Sequence, residues 1–277
     1  MSLKEYRENK LLELRKGIFM TARAFGEGHL ASSFSCLEIL YSLYIDKKMN
    51  YDVNNPDWVE RDVFVLSKGH AALALYNILA EVGFFDKKLL KEFCKPNSIL
   101  GGEPDKNKIP GVEASTGSLG HGLSYGVGVA LARKLDARRG KIVVLLGDGE
   151  CQEGSIWEAA IMAAKHKLNN LCVVIDANKL QKMTSLEQVM GEENWVNKWN
   201  SFGWNVVEVD GHDVDALNTV FDSFEKNEER PLAIIAHTLK GKGVSVMENN
   251  PDWHYRMPKK KDMKKFIAEL DIKEEEL

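Results

Sequence analysis

Residues 142–149 read IVVLLGDG, an apolar run that ends abruptly in two glycines around one aspartate. Continuous runs of this kind, rich in β-branched residues, are typical of parallel strands buried on both faces of a sheet. A strand that stops at Asp148 carries a carboxylate at its carboxyl end, beside glycine backbone that a ligand can approach closely. This stretch therefore predicts a central strand and also the edge of the sheet at which a ligand would bind.

Apolar runs of the same kind recur at 63–66, 171–175, 206–209 and 232–236. Apolar residues at helical spacing predict helices at about 3–25, 36–46, 71–82, 121–138, 154–168, 194–202 and 213–226. Strands and helices that alternate in this way imply right-handed βαβ units. We therefore predict an α/β fold, a doubly wound parallel sheet flanked by helices, with ligands outside the carboxyl ends of the strands.

The sequence predicts one domain followed by a short charged segment. One domain is predicted over residues 1–258, followed by a charged C-terminal helix or tail over 259–277. Within the domain, residues 95–120 are rich in Gly, Pro and Asn and are too long for an idle connection, so we interpret them as a functional loop.

Composition excludes several classes of protein. The 277 residues are 44% hydrophobic and 28% charged, which suits a globular chain with an ample core. The net charge of −4 gives no general attraction for nucleic acid. No apolar stretch approaches the roughly 20 residues that span a bilayer, and the charged N-terminus does not resemble a secretory signal, so we expect a cytoplasmic protein. The four scattered cysteines are expected to be reduced and structural.

Two strand ends supply oxygen ligands. Asp148 follows one predicted strand, and Asn178 follows the next. A hard cation such as Mg²⁺ or Ca²⁺ takes carboxylate, amide and carbonyl oxygens and often completes its shell with phosphates, so Asp148, Asn178 and the Leu180 carbonyl suit this role. The helix that begins near Gly154 directs its positive end towards the same region. A lone Gly-Asp-Gly is more simply a turn, so the assignment depends on the motifs around it.

Those motifs resemble one family. The run GDGECQEGSIWEA (147–159), together with Asn178, resembles the thiamine-diphosphate signature in the form found in transketolases. Further matches follow in family order: GH (28–29), SKGHA (67–71), GVE (111–113), STGSLGHG (115–122), HT (237–238), KGKG (240–243), MENN (247–250) and WH (253–254). The resemblance covers about residues 15–258 and implies the thiamine-diphosphate-binding fold.

The resemblance also implies roles for individual residues. The metal ligands would be Asp148, Asn178 and the carbonyl of Leu180. The cofactor-binding residues would be His70, Gly117, Leu119, Gly147, Asp148, Gly149, Glu150, Asn178 and His254. The residues implied for catalysis are His29, His70, His254 and Glu158. Of these, His29 and His70 would face the reacting sugar, and Glu158 would lie with Glu153 near a subunit contact.

A second chain is part of the same expectation. Thiamine enzymes need a carboxylate against the aminopyrimidine of the cofactor, and the family supplies it from a second α/β module. The sheet predicted here accounts for one module, so a C-terminal transketolase subunit is expected to provide the acid, the pyrimidine pocket and the grip on a sugar phosphate. The resemblance implies an α2β2 heterotetramer that transfers a two-carbon ketol unit from a ketose to an aldose.

One departure from the family bears on the substrate. Transketolases usually carry Gly-His-Pro, with the histidine near the donor's hydroxymethyl end, where this chain reads Gly102-Glu103-Pro104. An ionised glutamate only accepts hydrogen bonds, so Glu103 predicts a different sugar, such as one of an unusual biosynthetic pathway. Alternatives are another thiamine-dependent carboligase, a 2-oxo acid dehydrogenase subunit, or a catalytically silent subunit.

Several charged residues also have simpler interpretations. Glu158 could be a solvated acid near a helix start, where the helix dipole favours negative charge. Other residues could be ordinary surface groups: Lys68, Lys240, Lys242, His121, His166 and His212.

Overall fold

A computed structural model describes residues 1–224 and 229–277 of the chain. In that part, five parallel strands form one sheet in the order β1-β2-β3-β5-β4. The strands are β1 (Val63–Leu66), β2 (Ile142–Gly147), β3 (Leu171–Ala177), β4 (Asn205–Asp210) and β5 (Leu232–His237). Each contains the corresponding predicted run, and the doubly wound parallel sheet is confirmed. The predicted burial of β4 on both faces is wrong, because β4 lies at the edge of the sheet and only its Val209 is buried.

The α-helices flank this sheet. They are α1 (Leu3–Phe25), α2 (Leu30–Ser35), α3 (Leu37–Leu40), α4 (Ala72–Val82), α5 (His121–Leu135), α6 (Gly154–Lys165), α7 (Leu186–Met190), α8 (Trp195–Ser201), α9 (Val214–Phe224) and α10 (Met263–Glu269). The end of the predicted helix 213–226 lies outside the described residues. None of the described helices has the length and apolar character to cross a membrane.

Two regions differ from the predicted helices. The run predicted at 36–46 begins earlier, at Leu30, and is divided into α2, α3 and a π-helical turn over Tyr41–Ile45. The non-helical backbone of Cys36, at φ −105° and ψ 10°, separates α2 from α3. The loop 95–120 contains neither an α-helix nor a β-strand, as predicted.

Helix α1 shows how local sequence sets an element's limits. The Ser2 hydroxyl accepts from the Glu5 amide at 3.2 Å, and the Glu5 carboxylate accepts from the Ser2 amide at 2.6 Å. This reciprocal capping begins the helix. Gly26 ends it at φ +95°, a left-handed conformation that glycine adopts without a Cβ penalty. Between the two ends, Leu14 and Ile18 pack into the core.

The direction of each crossover decides which face a helix covers. From β2 through β3 to β4 the chain moves one way across the sheet, and α6 and α8 pack on one face. From β4 it turns back to β5, and α9 packs on the other face with α1 and α4. Because crossovers are right-handed, reversing direction moves the connecting helix to the opposite face. The segment that follows β5 also packs on this second face, where Val244 and Met247 are buried. The chain thus leaves β3 and its neighbour β5 towards opposite faces, which opens a crevice at their carboxyl ends.

The C-terminal segment joins this core. Phe266 and Leu270 are fully buried, and Ile272 is 5% exposed, in the cluster that also contains α1. The Phe266 ring lies 5.1 Å from that of Phe19 in α1 and 5.4 Å from that of Trp253. The charged segment is thus also anchored to the core by apolar contacts. A domain boundary after residue 258 stays a prediction.

Candidate active site

The carboxyl edge of the sheet brings Asp148 and Asn178 together. Gly147 on β2 pairs with Asp176 on β3, so the residues that follow the two strands are neighbours. The Asp148 carboxylate accepts from the backbone amides of Gly149, at 2.8 Å, and Lys179, at 2.5 Å. Burial and the negative charge of Asp176 raise the pKa of Asp148 to about 6. A bound cation would offset both effects, since it favours the ionised carboxylate.

The Asp176 carboxylate connects several side chains beneath Asp148 and Asn178. It is fully buried and forms an ion pair with Lys68, which follows β1 and is 1% exposed. It also accepts from the hydroxyls of Ser35, at 2.6 Å, and Thr238, and from the Asn178 amide at 3.2 Å. Although burial alone favours the neutral acid, the Lys68 ammonium holds the pKa of Asp176 below its ordinary value. Three strand ends are thus joined through one carboxylate.

The interpretation of Lys68 and Lys240 as solvent lysines is wrong. Lys240 is 2% exposed, and its ammonium donates to the Leu180 carbonyl at 3.0 Å and lies 3.1 Å from Nδ1 of His254. Burial and the charge of Lys68 lower the pKa of Lys240 to about 8. The sequence signal for both is position, since each lies within a motif just after the end of a strand. Because Asp176 neutralises Lys68, Lys240 is the buried ammonium at this edge that could attract an anion.

Glu150 connects three motifs. Its carboxylate accepts from the Ser67 hydroxyl at 2.5 Å, the Gly120 amide at 2.9 Å and the Gly147 amide at 3.1 Å. Burial raises the pKa of Glu150 despite these donors. Because the described chain occupies its oxygens, Glu150 fixes the relative position of the SKGHA, STGSLGHG and GDG segments. Direct contact between Glu150 and a cofactor stays a prediction.

Three histidines from distant parts of the chain form one cluster. The ring centroids of His29 and His70 are 5.2 Å apart, those of His29 and His254 are 5.2 Å apart, and those of His70 and His254 are 5.7 Å apart. Burial and nearby ammonium groups, Lys240 first, lower the pKa of His29 to about 4 and that of His254 to about 3. Burial and Lys68 also hold the pKa of His70 well below its usual range. All three are neutral near pH 7 and can each accept and donate hydrogen bonds.

Glu103 lies at the mouth of this cluster. It lines a cavity of about 180 Å³ together with His29 and His70. Its carboxylate lies over Gly117, where an added Cβ would be 1.5 Å from the Glu103 Oε2 atom. Because the end of the exposed Glu103 side chain can move, the φ of +144° is what restricts position 117 to glycine. The loop thus brings Glu103 to the cavity that His29 and His70 also line, and its contact with a sugar stays a prediction.

Other predicted residues lie further out. Glu158 is exposed on α6, as is Glu153 before it, and Leu119 is 37% exposed. Their roles at a subunit contact or against the cofactor stay predictions. His212 is not an ordinary surface group: its Nδ1 lies 3.1 Å from the buried Glu38 carboxylate, and its Nε2 accepts from the Leu239 amide at 2.8 Å. His212 therefore supports the loop that carries Lys240.

The edge has groups that suit a diphosphate and a cation. Nε2 of Gln181 is a buried donor with no acceptor in the described chain, and an added Cβ on Gly149 would lie 3.5 Å from it. A phosphate oxygen would satisfy that donor. Within residues 1–224 and 229–277, no three His, Cys, Asp or Glu side chains form a metal-holding cluster. A metal here would rest on Asp148, the Asn178 amide oxygen, the Leu180 carbonyl and phosphate oxygens, the hard-oxygen set of Mg²⁺.

Comparisons with known proteins agree with this geometry. The family described as "Transketolase, thiamine diphosphate binding domain" matches residues 16–276. One of the subunits of the apulose-4-phosphate transketolase of Phocaeicola vulgatus is 41% identical over 250 residues, which cover 90% of this chain and 88% of that protein. The 6-deoxy-6-sulfo-D-fructose transketolase subunit SqwG of a Clostridium species is 38% identical over 246 residues, 89% of each chain.

A solved structure shares the fold. The transketolase of Pichia stipitis in complex with sedoheptulose 7-phosphate superposes with a TM-score of 0.88 at 29% identity, over 96% of this chain. This chain spans 40% of that longer protein.

Proposed function

The chain belongs to the transketolase family, and from that membership we propose that it is the metal- and cofactor-binding subunit of a two-chain enzyme that transfers a two-carbon ketol unit from a ketose to an aldose. Relatives that match it over nearly their whole length are named as transketolase subunits, which supports the division into two chains. The observation that carries the proposal is the cluster of His29, His70 and His254 beside the Asp148–Asn178 edge.

The residues of this chain have distinct tasks in the reaction. Asp148, Asn178 and the Leu180 carbonyl would hold Mg²⁺ or Ca²⁺ against the diphosphate, which Lys240 also attracts. When bound, thiamine diphosphate supplies an electron sink for the carbanion left at the ketol carbon. The neutral histidines orient the sugar hydroxyls and move protons to and from oxygens whose charge changes during transfer.

A partner subunit completes the site in this proposal. It would contribute the carboxylate that activates the aminopyrimidine, the pyrimidine pocket and the grip on a phosphate, with two copies of each chain forming an α2β2 assembly. The exposed positions of Glu158 and Leu119 suit a contact of this kind. A cytoplasmic location stays a prediction.

On this proposal, the enzyme differs from a standard transketolase in its substrate. We propose that Glu103, at the mouth of the histidine cluster, contacts the sugar in place of the usual histidine. The relatives are named for apulose 4-phosphate and for a sulfonated fructose, so ketoses outside central metabolism are the donors to test first.

A reconstitution experiment tests the function. The chain is coexpressed with a candidate partner, the complex is captured through a tag on this chain, and ketol transfer is followed for a panel of ketose donors and aldose acceptors. Activity should require both chains and thiamine diphosphate with Mg²⁺, and it should scale with the ratio of the chains until the partner is saturating. The control is this chain alone, which on this proposal depends on the partner for the activating carboxylate.

Two results would contradict the proposal. Ketol transfer by the purified single chain would show that no partner is needed. A complex that binds thiamine diphosphate by calorimetry yet transfers no ketol unit in any donor and acceptor pair would favour a different thiamine-dependent reaction.

A further inference from the structure

Tyr255 lines the same cavity as Glu103, His29 and His70. The residue follows His254 and is 47% exposed. Its ring centroid lies 4.5 Å from that of His29, with the planes tilted by 48°. Its hydroxyl donates to the Glu27 carboxylate at 2.5 Å, and this bond raises the pKa of Tyr255 to about 12. Tyr255 is therefore held at one end by Glu27 while its ring lies against a residue of the histidine cluster.

The cavity combines a few polar side chains with a larger apolar lining. Glu27, His29, His70 and Glu103 contribute polar groups, whereas Leu73 and Phe93 contribute apolar surface. Among the described residues that line it, none is lysine or arginine. Carboxylates only accept hydrogen bonds, and sugar hydroxyls donate them. The polar groups of the lining can therefore pair with the hydroxyl groups of a sugar.

We propose that Tyr255 is a positioning residue for His29: its ring packs against the imidazole and forms one side of the cavity at the hydroxyl-bearing end of the sugar. This rests on the proposed function, because His29 matters only if a sugar reacts there. The His29 ring also lies within 5.2 Å of the rings of His70 and His254, centroid to centroid. Together with Tyr255, these give the His29 ring three aromatic neighbours.

The position of Tyr255 also affects the charge state of His29. The charged groups that act on His29 are Lys240, Lys68 and Lys182, and burial is the largest influence on its pKa. The tyrosine ring supplies part of that burial. Removing it would admit water to the imidazole and raise the pKa of His29 towards its ordinary value.

The experiment compares Tyr255→Ala with Tyr255→Phe, which keeps the ring and loses only the hydroxyl. The first readout is an NMR titration of the His29 imidazole in the full chain, which does not depend on transfer activity. Tyr255→Ala should raise the pKa of His29, and Tyr255→Phe should leave it near the wild-type value. In the reconstituted enzyme, kcat should fall about 10- to 100-fold for Tyr255→Ala, with the acid limb of its pH profile at higher pH.

Controls separate this role from general damage. Tyr6→Ala removes a similarly exposed tyrosine, 46% exposed on α1, and should change neither readout.

Three outcomes would overturn the inference. One is an unchanged His29 titration in folded Tyr255→Ala. Another is a variant whose only defect is weaker binding of the partner, with normal kcat at saturation, which would make Tyr255 a docking residue. A third is a Tyr255→Phe chain as defective as Tyr255→Ala, since the hydroxyl and not the ring would then be decisive. Activity of the wild-type pair decides the proposed function separately.

Discussion

The ammonium group of Lys68 forms an ion pair with the carboxylate of Asp176, and neither side chain is more than 1% exposed. The pair joins the segment that follows β1 to the last residues of β3, below the groups expected to hold the cofactor. Desolvating two charges is costly, and their attraction repays this cost only when the geometry and additional hydrogen bonds are good. Here Ser35, Thr238 and Asn178 supply those bonds.

Lys68→Met should destabilise the chain strongly, because it leaves the Asp176 carboxylate buried without its counter-ion. Breaking such a pair typically costs about 3–5 kcal/mol in the free energy of unfolding, measurable by urea denaturation. The double variant Lys68→Met/Asp176→Leu should lose less than the two single losses combined. Lys87→Met, at a pair with a 55% exposed lysine side chain, is the control and should cost no more than about 1 kcal/mol. An equally small loss for Lys68→Met would contradict the prediction.

Asp148→Ala and Asn178→Ala should each weaken cofactor binding. Each removes a hard oxygen ligand between the protein and the diphosphate, and a charge-assisted contact is worth about 1.5–3 kcal/mol, roughly 10- to 150-fold in affinity. Calorimetric titration of the reconstituted enzyme with thiamine diphosphate at fixed Mg²⁺ measures the effect. Asp136→Ala, an exposed aspartate at the end of α5, should bind like wild type. Unaltered titrations in both site variants would remove these residues from the site.

Glu103→His should change the ranking of donor sugars. A carboxylate that accepts a hydrogen bond from the native sugar is left unpaired when the matching group is absent, which discriminates more strongly than shape. Histidine, which also donates, should shift the ratio of kcat/KM towards xylulose 5-phosphate. Glu103→Gln keeps the shape and removes the charge, so it separates the two effects. The same donor ranking in all three enzymes would show that Glu103 does not select the substrate.

The unliganded chain should lose stability as the pH falls from about 6.5 to about 4, because His29 has its pKa lowered to about 4 in the folded state. In that window the unfolded chain binds more protons at this residue, so the free energy of unfolding rises with pH and falls on acidification. His29→Asn, which does not titrate, should reduce the loss measured by urea denaturation at several pH values. His166→Asn, at the half-buried end of α6, is the matched control. An equal pH dependence in wild type and His29→Asn would refute the assignment.

The local sequence was sufficient to predict the strands and the edge of the sheet at which the site lies. The run 142–149 predicts β2 and the position of Asp148 because a strand buried on both faces must be apolar along its whole length. The same rule identifies β1, β3 and β5. Helix boundaries were less well determined near Leu30–Ile45, where tertiary packing divides one apolar run into three pieces.

The contacts that make the site were decided by the tertiary structure. Lys68 and Asp176 are far apart in the sequence, as are Glu150 and Gly120 or His29 and Tyr255, and no periodicity links the members of such pairs. Motif resemblance indicated which residues matter for thiamine diphosphate, yet it left Lys68 and Lys240 as possible solvent lysines. These charges come together because of the parallel order of the strands and because the chain leaves β3 and β5 towards opposite faces of the sheet. Strand and helix formation depend on neighbours in the chain, whereas burial and pairing depend on the whole fold.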